Sequence, residues 1–495
     1  MLAQLRTFLF LLFATATASA GQPAPEIRFS PVEAGHLTAD HKSTGGVSML
    51  DIDRDGNLDI LITAGYDVSK RPERQPSRLY WGDGKGNFTL DEHNPLTEAI
   101  TFGSGSTWAD FDNDGILDCF ISCQLEAGGV LARGLGNRTF EILSDAPPHT
   151  DKANTFSSTW VDLDADGNLD LLLCNNAYSA PDLPFLYRGD GKGGFTRITA
   201  NDFADRKSST GGAYFCDYDN DGLPDLFAPN NTGKAWLYHN DGSTRLSHVP
   251  LPELDRNPFP ASGSAWADYD NDGRMDLAIA CAQGGTALLF HNTATGFEPA
   301  PLADAHLIST NAGLVQWADL DNNGAVDCFV PNWGAGSLLF MNRGDGTFRR
   351  IDVPGLTDRV LFASSCALAD YDNDGRIDML IGQWPLRPGD GELIRLFHNE
   401  TTNPGNWIKL ELQGSASNRT AIGARIRLTA TISGREVTQT REVSAGSGFR
   451  SQADLRQHFG LGDASSAKAI IRWPSGKLQT VDNLAAGKNH LIVEQ

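Results

Sequence analysis

The nine residues Asp268-Tyr269-Asp270-Asn271-Asp272-Gly273-Arg274-Met275-Asp276 decide the fold, because their pattern, D-x-D-x-[DN]-G-x-x-D, occurs seven times along the chain. The copies begin at Asp51, Asp110, Asp162, Asp217, Asp268, Asp319 and Asp370. A repeat of roughly 50–60 residues marks an architecture built from one recurring supersecondary unit. Small and aromatic residues lead into the copies, as in GSTWAD, SSTWVD and GSAWAD. A solid apolar run follows, such as Ile60-Leu61-Ile62 or Leu171-Leu172-Leu173. Further on comes a hairpin of the form L-[YF]-x-x-x-G-x-G-x-F, as in LYWGDGKGNF and LYRGDGKGGF.

Each unit therefore reads as four short strands. The apolar run does not alternate, so its strand is covered on both faces, as in small sheets stacked face to face. Four strands in about 50 residues is the size of a propeller blade. The expected fold is all-β: a seven-bladed β-propeller over residues 21–404, then a small β-sandwich-like domain over 405–495. The seventh unit shows only three strands, ending at Arg395-Leu396-Phe397-His398-Asn399. The segment Ile27-Arg28-Phe29-Ser30 is expected to supply the fourth and so latch the ring.

The repeated loop has the chemistry of an oxygen cage around a hard cation. Positions 1, 3, 5 and 9 carry the candidate ligands. They are Asp51, Asp53, Asp55 and Asp59 in the first copy, Asp110, Asp112, Asp114 and Asp118 in the second, and Asp162, Asp164, Asp166 and Asp170 in the third. The fourth has Asp217, Asp219, Asp221 and Asp225, and the fifth Asp268, Asp270, Asp272 and Asp276. Asp319, Asp321, Asn323 and Asp327 form the sixth, and Asp370, Asp372, Asp374 and Asp378 the seventh. Gly at position 6 takes the tight turn. The backbone carbonyl of position 7 (Asn57, Ile116, Asn168, Leu223, Arg274, Ala325 or Arg376) is expected to turn inward as a further ligand. Position 12 is apolar in every copy, where an EF-hand would place a bidentate Glu. Many anionic oxygens in a flexible loop favour Ca²⁺ over Mg²⁺, and Zn²⁺ would want His or Cys, which the loops lack. Up to seven structural Ca²⁺ ions are expected, with the sixth site, which has Asn323 in place of Asp, the weakest.

The charge follows from these loops. The chain has 62 Asp+Glu against 40 Lys+Arg and a formal net charge of −22, yet the loops hold 27 of the aspartates, so the remainder is slightly positive. Nucleic acid is not an expected partner, because its backbone is bound by dense Lys and Arg. Residues 1–20, with Arg6, an apolar run from Phe8 to Phe13 and Ala18-Ser19-Ala20, read as a secretory signal peptide, and no later stretch reads as a membrane span. A secreted or periplasmic, monomeric protein is expected. The seven Cys (119, 123, 174, 216, 281, 328 and 366) sit beside apolar strand residues and read as small core residues. Two RGD triplets, Arg188-Gly189-Asp190 and Arg343-Gly344-Asp345, fall in the hairpin turn, where Gly and Asp are favoured by geometry.

The seven units with their flanking W-A-D and G-x-G-x-F segments resemble the FG-GAP/VCBS repeats of integrin-α-type propellers. Asn406-Trp407-Ile408-Lys409 opens a different composition. It continues through Asn418–Arg425, Ser447–Gln452, His458-Phe459-Gly460-Leu461-Gly462 and Arg472-Trp473-Pro474-Ser475-Gly476. That series resembles the ASPIC/UnbV domain of the cartilage-acidic-protein-like family. Residues 405–495 hold 12 Lys+Arg and 7 Asp+Glu, a basic module suited to dock on an acidic ring or to hold an anionic polymer. The alternation of Ile422, Ala424, Ile426, Leu428, Ala430 and Ile432 with Arg425, Arg427 and Thr429 marks a half-buried strand.

No catalytic constellation is expected. The 11 His are scattered, no G-x-S-x-G or H-E-x-x-H motif occurs, and His458 reads as a structural residue. The reading is a secreted, Ca²⁺-stabilised binding or adhesion module for an extracellular protein or glycan. The alternatives are a lyase-like enzyme acting on polysaccharide and a non-catalytic envelope scaffold.

Overall fold

The computed structural model describes residues 25–39, 44–64, 75–125, 128–177, 180–199, 201–231, 233–252, 254, 260–281, 284–285, 287–304, 311–384, 394–446 and 449–495. The expected signal peptide lies outside them.

The first repeat shows how the unit folds. Strands Thr44–Leu50, Asp59–Ala64, Arg78–Gly82 and Phe88–Asp91 pair antiparallel in chain order. The second strand, DILITA, is buried at every residue, which explains its unbroken apolar run. The nine-residue loop spans from the first strand to the second, and the pair Leu50↔Asp59 closes its mouth. Among the described residues seven sheets share this four-stranded plan, three of them with a fifth strand added and one taking its outermost strand from Phe29–Val32. Their first strands touch around an axis: 44–50 lies against both 103–109 and 361–369, 155–161 against 103–109, 261–267 against 214–216, and 316–318 against 261–267 and 361–369. The fold is that of a β-propeller.

The ring is latched from its N-terminal end. Phe29–Val32 pairs antiparallel with Ile394–Asn399, in register Phe29↔Asn399 to Val32↔Leu396. This strand lies slightly C-terminal to the expected 27–30 and runs through Pro31. Among the described residues no strand pairs with its other edge, and an edge strand tolerates a residue without an N–H.

The C-terminal module has two sheets. Asn406–Gln413 lies between Gln457–Gly462, antiparallel, and Asn489–Val493, parallel. Arg425–Ile432 lies between Arg435–Glu442 and Ser466–Arg472, with Leu478–Ala485 at the edge. Ile408, Leu410 and Phe459 of one sheet meet Ile426, Leu428 and Ile471 of the other in a shared core, which extends to Phe111 and Trp160 of the propeller. Arg425 departs from the expected outward alternation. It is buried, ion-paired with Glu442 at 2.7 Å, and reaches the fourth blade at Asn220 and the Asp217 carbonyl.

One feature had no sequence signal. The segment after Glu442 enters the propeller axis. Ser451–Gln452 pairs parallel with Val47–Ser48 of the first blade. The Gln452 Oε1 accepts the Trp108 N–H at 2.7 Å while its Nε2 donates to the Trp108 carbonyl at 3.0 Å. The Thr107 hydroxyl donates to the Ala445 carbonyl at 2.7 Å, and the Cys366 N–H donates to the Ser451 hydroxyl at 2.9 Å. Gly46 makes room for this entry, since a Cβ there would stand 2.2 Å from the Arg450 carbonyl. Phe449 is buried against Gly211 and Gly313, a burial worth about 1.5–3 kcal/mol. Arg450 lies over the rings of Phe156 and Trp384.

Candidate metal centres

The loops are built alike, and their own carboxylates hold the backbone. In all seven, the Oδ2 of position 1 accepts the N–H of the position-6 glycine, from 2.7 Å at Asp110–Gly115 to 3.1 Å at Asp162–Gly167. The side chain of position 5 accepts the N–H of position 7 at 2.8 or 2.9 Å throughout, Asn323 included. Position 9 has a second task that the cage pattern did not suggest. Asp59 accepts from Ile52 N–H at 3.0 Å and from Gly82 N–H at 2.9 Å, so one buried carboxylate ties the loop to the third strand. Asp118 does the same with Phe111 and Gly134, and Asp327 with Leu320 and Asn342.

Position 4, which the pattern leaves free, links the loops. Its φ lies between 55° and 65° in every copy (Arg54, Asn113, Ala165, Asn220, Asn271, Asn322 and Asn373), a left-handed conformation that Asn adopts most readily after Gly. The Nδ2 groups of Asn113, Asn271, Asn322 and Asn373 donate to the position-6 carbonyl of the next loop at 3.3, 3.0, 2.9 and 3.4 Å. The last of these bonds, Asn373 to Gly56, joins the seventh loop to the first.

The third strand supplies a side chain to several loops, and sequence reasoning missed it. Arg133 lies 2.8 Å from Asp112, and Arg188 pairs with Asp164 and Asp166. The same strand position holds His239, His291 and His398 in the fourth, fifth and seventh blades, each beside two loop carboxylates. The sixth blade has Met341 there. The signal was present in the repeated L-[YF]-H-N of blades four and seven and L-F-H-N of blade five, but it lies outside the nine-residue pattern.

The module covers the face that carries the loops. Lys409, itself buried, pairs with Asp370 at 2.8 Å; Arg456 reaches the Gly56 carbonyl at 3.2 Å and Asp51 at 3.7 Å; Arg472 pairs with Asp217. Arg419 donates its N–H to Asn113 at 2.8 Å, and His458 lies 2.7 Å from the Asn322 side chain. Gly167 packs against the Ala416 carbonyl and Gly273 faces Arg427. The basic module thus meets the acidic ring directly. Burial, reinforced by Lys409, pushes the His458 imidazole down to about 3, so it is a neutral buried ring stacked on Trp407.

Burial raises several of the loop carboxyls. It takes Asp51 to about 7, Asp59, Asp170 and Asp276 to about 8, and Asp118 and Asp225 to about 9, with neighbouring carboxylates adding to the effect. The Oδ1 atoms of Asp51, Asp164, Asp217 and Asp268 are buried without a hydrogen-bond partner. Separately, Asp51, Asp53 and Asp59, and likewise Asp110, Asp112 and Asp118, each bring one ligand atom within 4.8 Å of the others, groups that could hold a metal ion.

The remaining sequence features are accounted for locally. In the RGD turns, Asp190 accepts the N–H groups of Lys192 and Gly194, and Asp345 that of Thr347. All seven Cys are buried and outside any disulfide. Among the described residues, no helix is long and apolar enough to cross a membrane.

Comparison with known proteins agrees with this architecture. The FG-GAP-like repeat family matches residues 51–121, 110–173, 162–228, 217–279, 268–330 and 319–381, and the ASPIC and UnbV family matches 414–495. Cartilage acidic protein 1 of Homo sapiens is 24% identical over 541 residues, covering 98% of this chain and 78% of that protein. The Mus musculus protein of the same name is 24% identical over 511 residues, covering 92% and 75%. Among solved structures, BBS1N in complex with ARL6DN, soaked with mercury, is similar at 11% identity and a TM-score of 0.45, over 74% of this chain and 96% of that one.

Proposed function

The chain belongs to the FG-GAP-like repeat family, and on that premise we propose that it is an exported, Ca²⁺-stabilised binding module whose partner is an extracellular protein or glycan. The observation that carries the calcium reading is the set of buried, donorless carboxylate oxygens at Asp51, Asp164, Asp217 and Asp268, in loops whose position-6 N–H is held by the position-1 carboxylate. Residues at positions 1, 3, 5 and 9, with the backbone carbonyl of position 7, would hold the ion, and position 9 would also brace the cage from the third strand. The ion would supply neutralising charge that lets buried carboxylates stay ionised; scaffold rather than reaction is its role.

Partner binding falls to the face away from the loops, because the C-terminal module occupies the loop face through Lys409, Arg456 and Arg472. The relatives named cartilage acidic protein support export. Metal analysis of the purified chain, followed by thermal unfolding with and without chelator, tests the scaffold; glycan arrays and pull-down from native extracellular medium test the partner. Ca²⁺ retained at several ions per chain and a melting temperature that falls in chelator and recovers with Ca²⁺ are expected. An unchanged melting curve would overturn the calcium reading, and cleavage of a uronic-acid polymer would overturn the binding reading.

A further inference from the structure

We propose that the propeller axis holds a binding site for a small sugar acid, a ring bearing one carboxylate and several hydroxyls, closed between the inner strands of blades four to six and the C-terminal module. The site is separate from the loop cages and goes beyond the partner reading above. Its origin is an uneven filling of the axis. The segment that enters the axis bonds to blades one, two and seven, at Val47–Ser48, Thr107, Trp108 and Cys366. Blades four and six have inner strands of only 3 residues, Tyr214–Cys216 and Gln316–Ala318, against 7 in blades one and five. A cavity of about 220 Å³ is left there, walled by Trp266 and Trp317 of the propeller and by Lys409, Arg441, Arg456 and His458 of the module. Room for roughly seven waters suits one monosaccharide and not a polymer segment.

The charges of the wall leave one cation over. Four carboxylates line the cavity, and each is engaged. Asp370 pairs with Lys409 at 2.8 Å, Asp454 with Arg456 at 2.7 Å and Glu442 with Arg425 at 2.7 Å, while Asp319 accepts the N–H groups of Asn323 and Gly324 in its own loop. Arg441 donates only to neutral oxygens, the Thr440 carbonyl at 2.9 Å and Gln439 Oε1 at 3.3 Å, and lies over the Phe459 ring at 5.2 Å. Among the described residues it forms no ion pair; Asp268 and Asp319 act on it only from beyond contact. An enclosed guanidinium with donors to spare is suited to a bidentate carboxylate. His458 adds an acceptor. Its Nε2 lies 2.7 Å from the Asn322 side-chain oxygen and so carries the proton, and the buried Nδ1 keeps a lone pair without a hydrogen-bond partner. A hydroxyl can donate to that nitrogen, and a carboxylate cannot. The tryptophans add apolar surface held in place from behind, Trp266 stacked on Tyr218 and Trp317 on Tyr269 at interplanar angles of 9° and 11°. Anion, hydroxyl and apolar ring together describe a hexuronic acid better than inorganic phosphate, a neutral sugar or an aromatic acid.

The test uses the full chain in about 1 mM Ca²⁺, an extracellular level, titrated calorimetrically with D-glucuronate and, separately, D-galacturonate. One of either uronate per chain should bind, with glucose, benzoate and inorganic phosphate each weaker by at least about tenfold, the loss of a charge-assisted or hydroxyl bond. Arg441→Gln should weaken the uronate by a similar factor and keep the circular dichroism spectrum. Hydrogen–deuterium exchange on the wild type places the site without a variant: the uronate should slow exchange over 441–446 and 453–458 and leave the outermost strands of the blades unchanged. Neither uronate bound, any of the three comparison ligands bound as tightly, full affinity in the variant, or protection confined to other segments would overturn the proposal. Each of those outcomes leaves the calcium scaffold and the far-face partner standing, since metal content and pull-down read those independently.

Discussion

Two kinds of buried carboxylate occur in this molecule, and they have opposite protonation tendencies. In the propeller loops, burial dominates and lifts Asp118 to about 9 and Asp319 to about 8. In the C-terminal module Glu494 is only 4% exposed, yet its carboxyl is held down at about 2. Burial pushes Glu494 upward too, but three N–H groups (Ser415, Ala416 and Ser417, 2.8–2.9 Å) and the hydroxyls of Ser417 and Ser475 outweigh it. The difference is one of donors. The module satisfies its carboxylate from its own backbone, whereas the loops spend their few N–H groups on shaping the turn and leave charge that calls for a cation.

Removing the cation should have the largest effect. Chelation at pH 7.5 is expected to lower the melting temperature by at least about 10 °C, since each site at 100 times its Kd adds about 2.7 kcal/mol; a smaller shift by calorimetry would erase the contrast with the module. The pH dependence sharpens it. In chelator, carboxyls whose pKa is raised in the folded state give stability that is present below about pH 4 and is lost as pH rises towards 8. Melting of the metal-free chain should therefore worsen from pH 5 to pH 8.

Asp319→Asn in the sixth loop should cost about 2–3 kcal/mol in Ca²⁺ and close to nothing in chelator, because Asn resembles the protonated acid already favoured there. Denaturant titrations in the two buffers measure this; equal losses would mean that Asp319 works only through its hydrogen bonds.

Glu494→Gln should cost about 2 kcal/mol at neutral pH, with or without Ca²⁺. The sign is opposite to that of the loops: a depressed pKa gives stability present above about 4.5 and lost as pH falls towards 2. The wild-type and variant unfolding curves should converge in that window.

The smallest effect is expected at Arg188, whose side chain is 50% exposed over Asp164 and Asp166. Arg188→Gln should change stability by less than about 0.5 kcal/mol while tightening Ca²⁺ at the third loop. Unchanged Ca²⁺ affinity by isothermal titration would show that the guanidinium does not compete with the ion.

The repeat of Asp51 to Asp59 and its six copies determined the sheets, their order and the position of every loop, because a nine-residue turn with Gly at position 6 and Asp at position 9 has essentially one way to hydrogen-bond to itself. The latch strand was legible because the seventh unit lacked a partner that Phe29 could supply. Local pattern could not reveal what depends on distant residues. The imidazoles of His239, His291 and His398 reach loops about 15–20 positions earlier across a strand. Asn373 reaches Gly56 only because the ring closes, and Gln452 reaches Trp108 only because Gly46 leaves room at the axis. Sequence set the shape of each loop through bonds made within it; only the tertiary structure decided which charges each loop shares, because those charges come from the third strand of the blade and from the module packed on top.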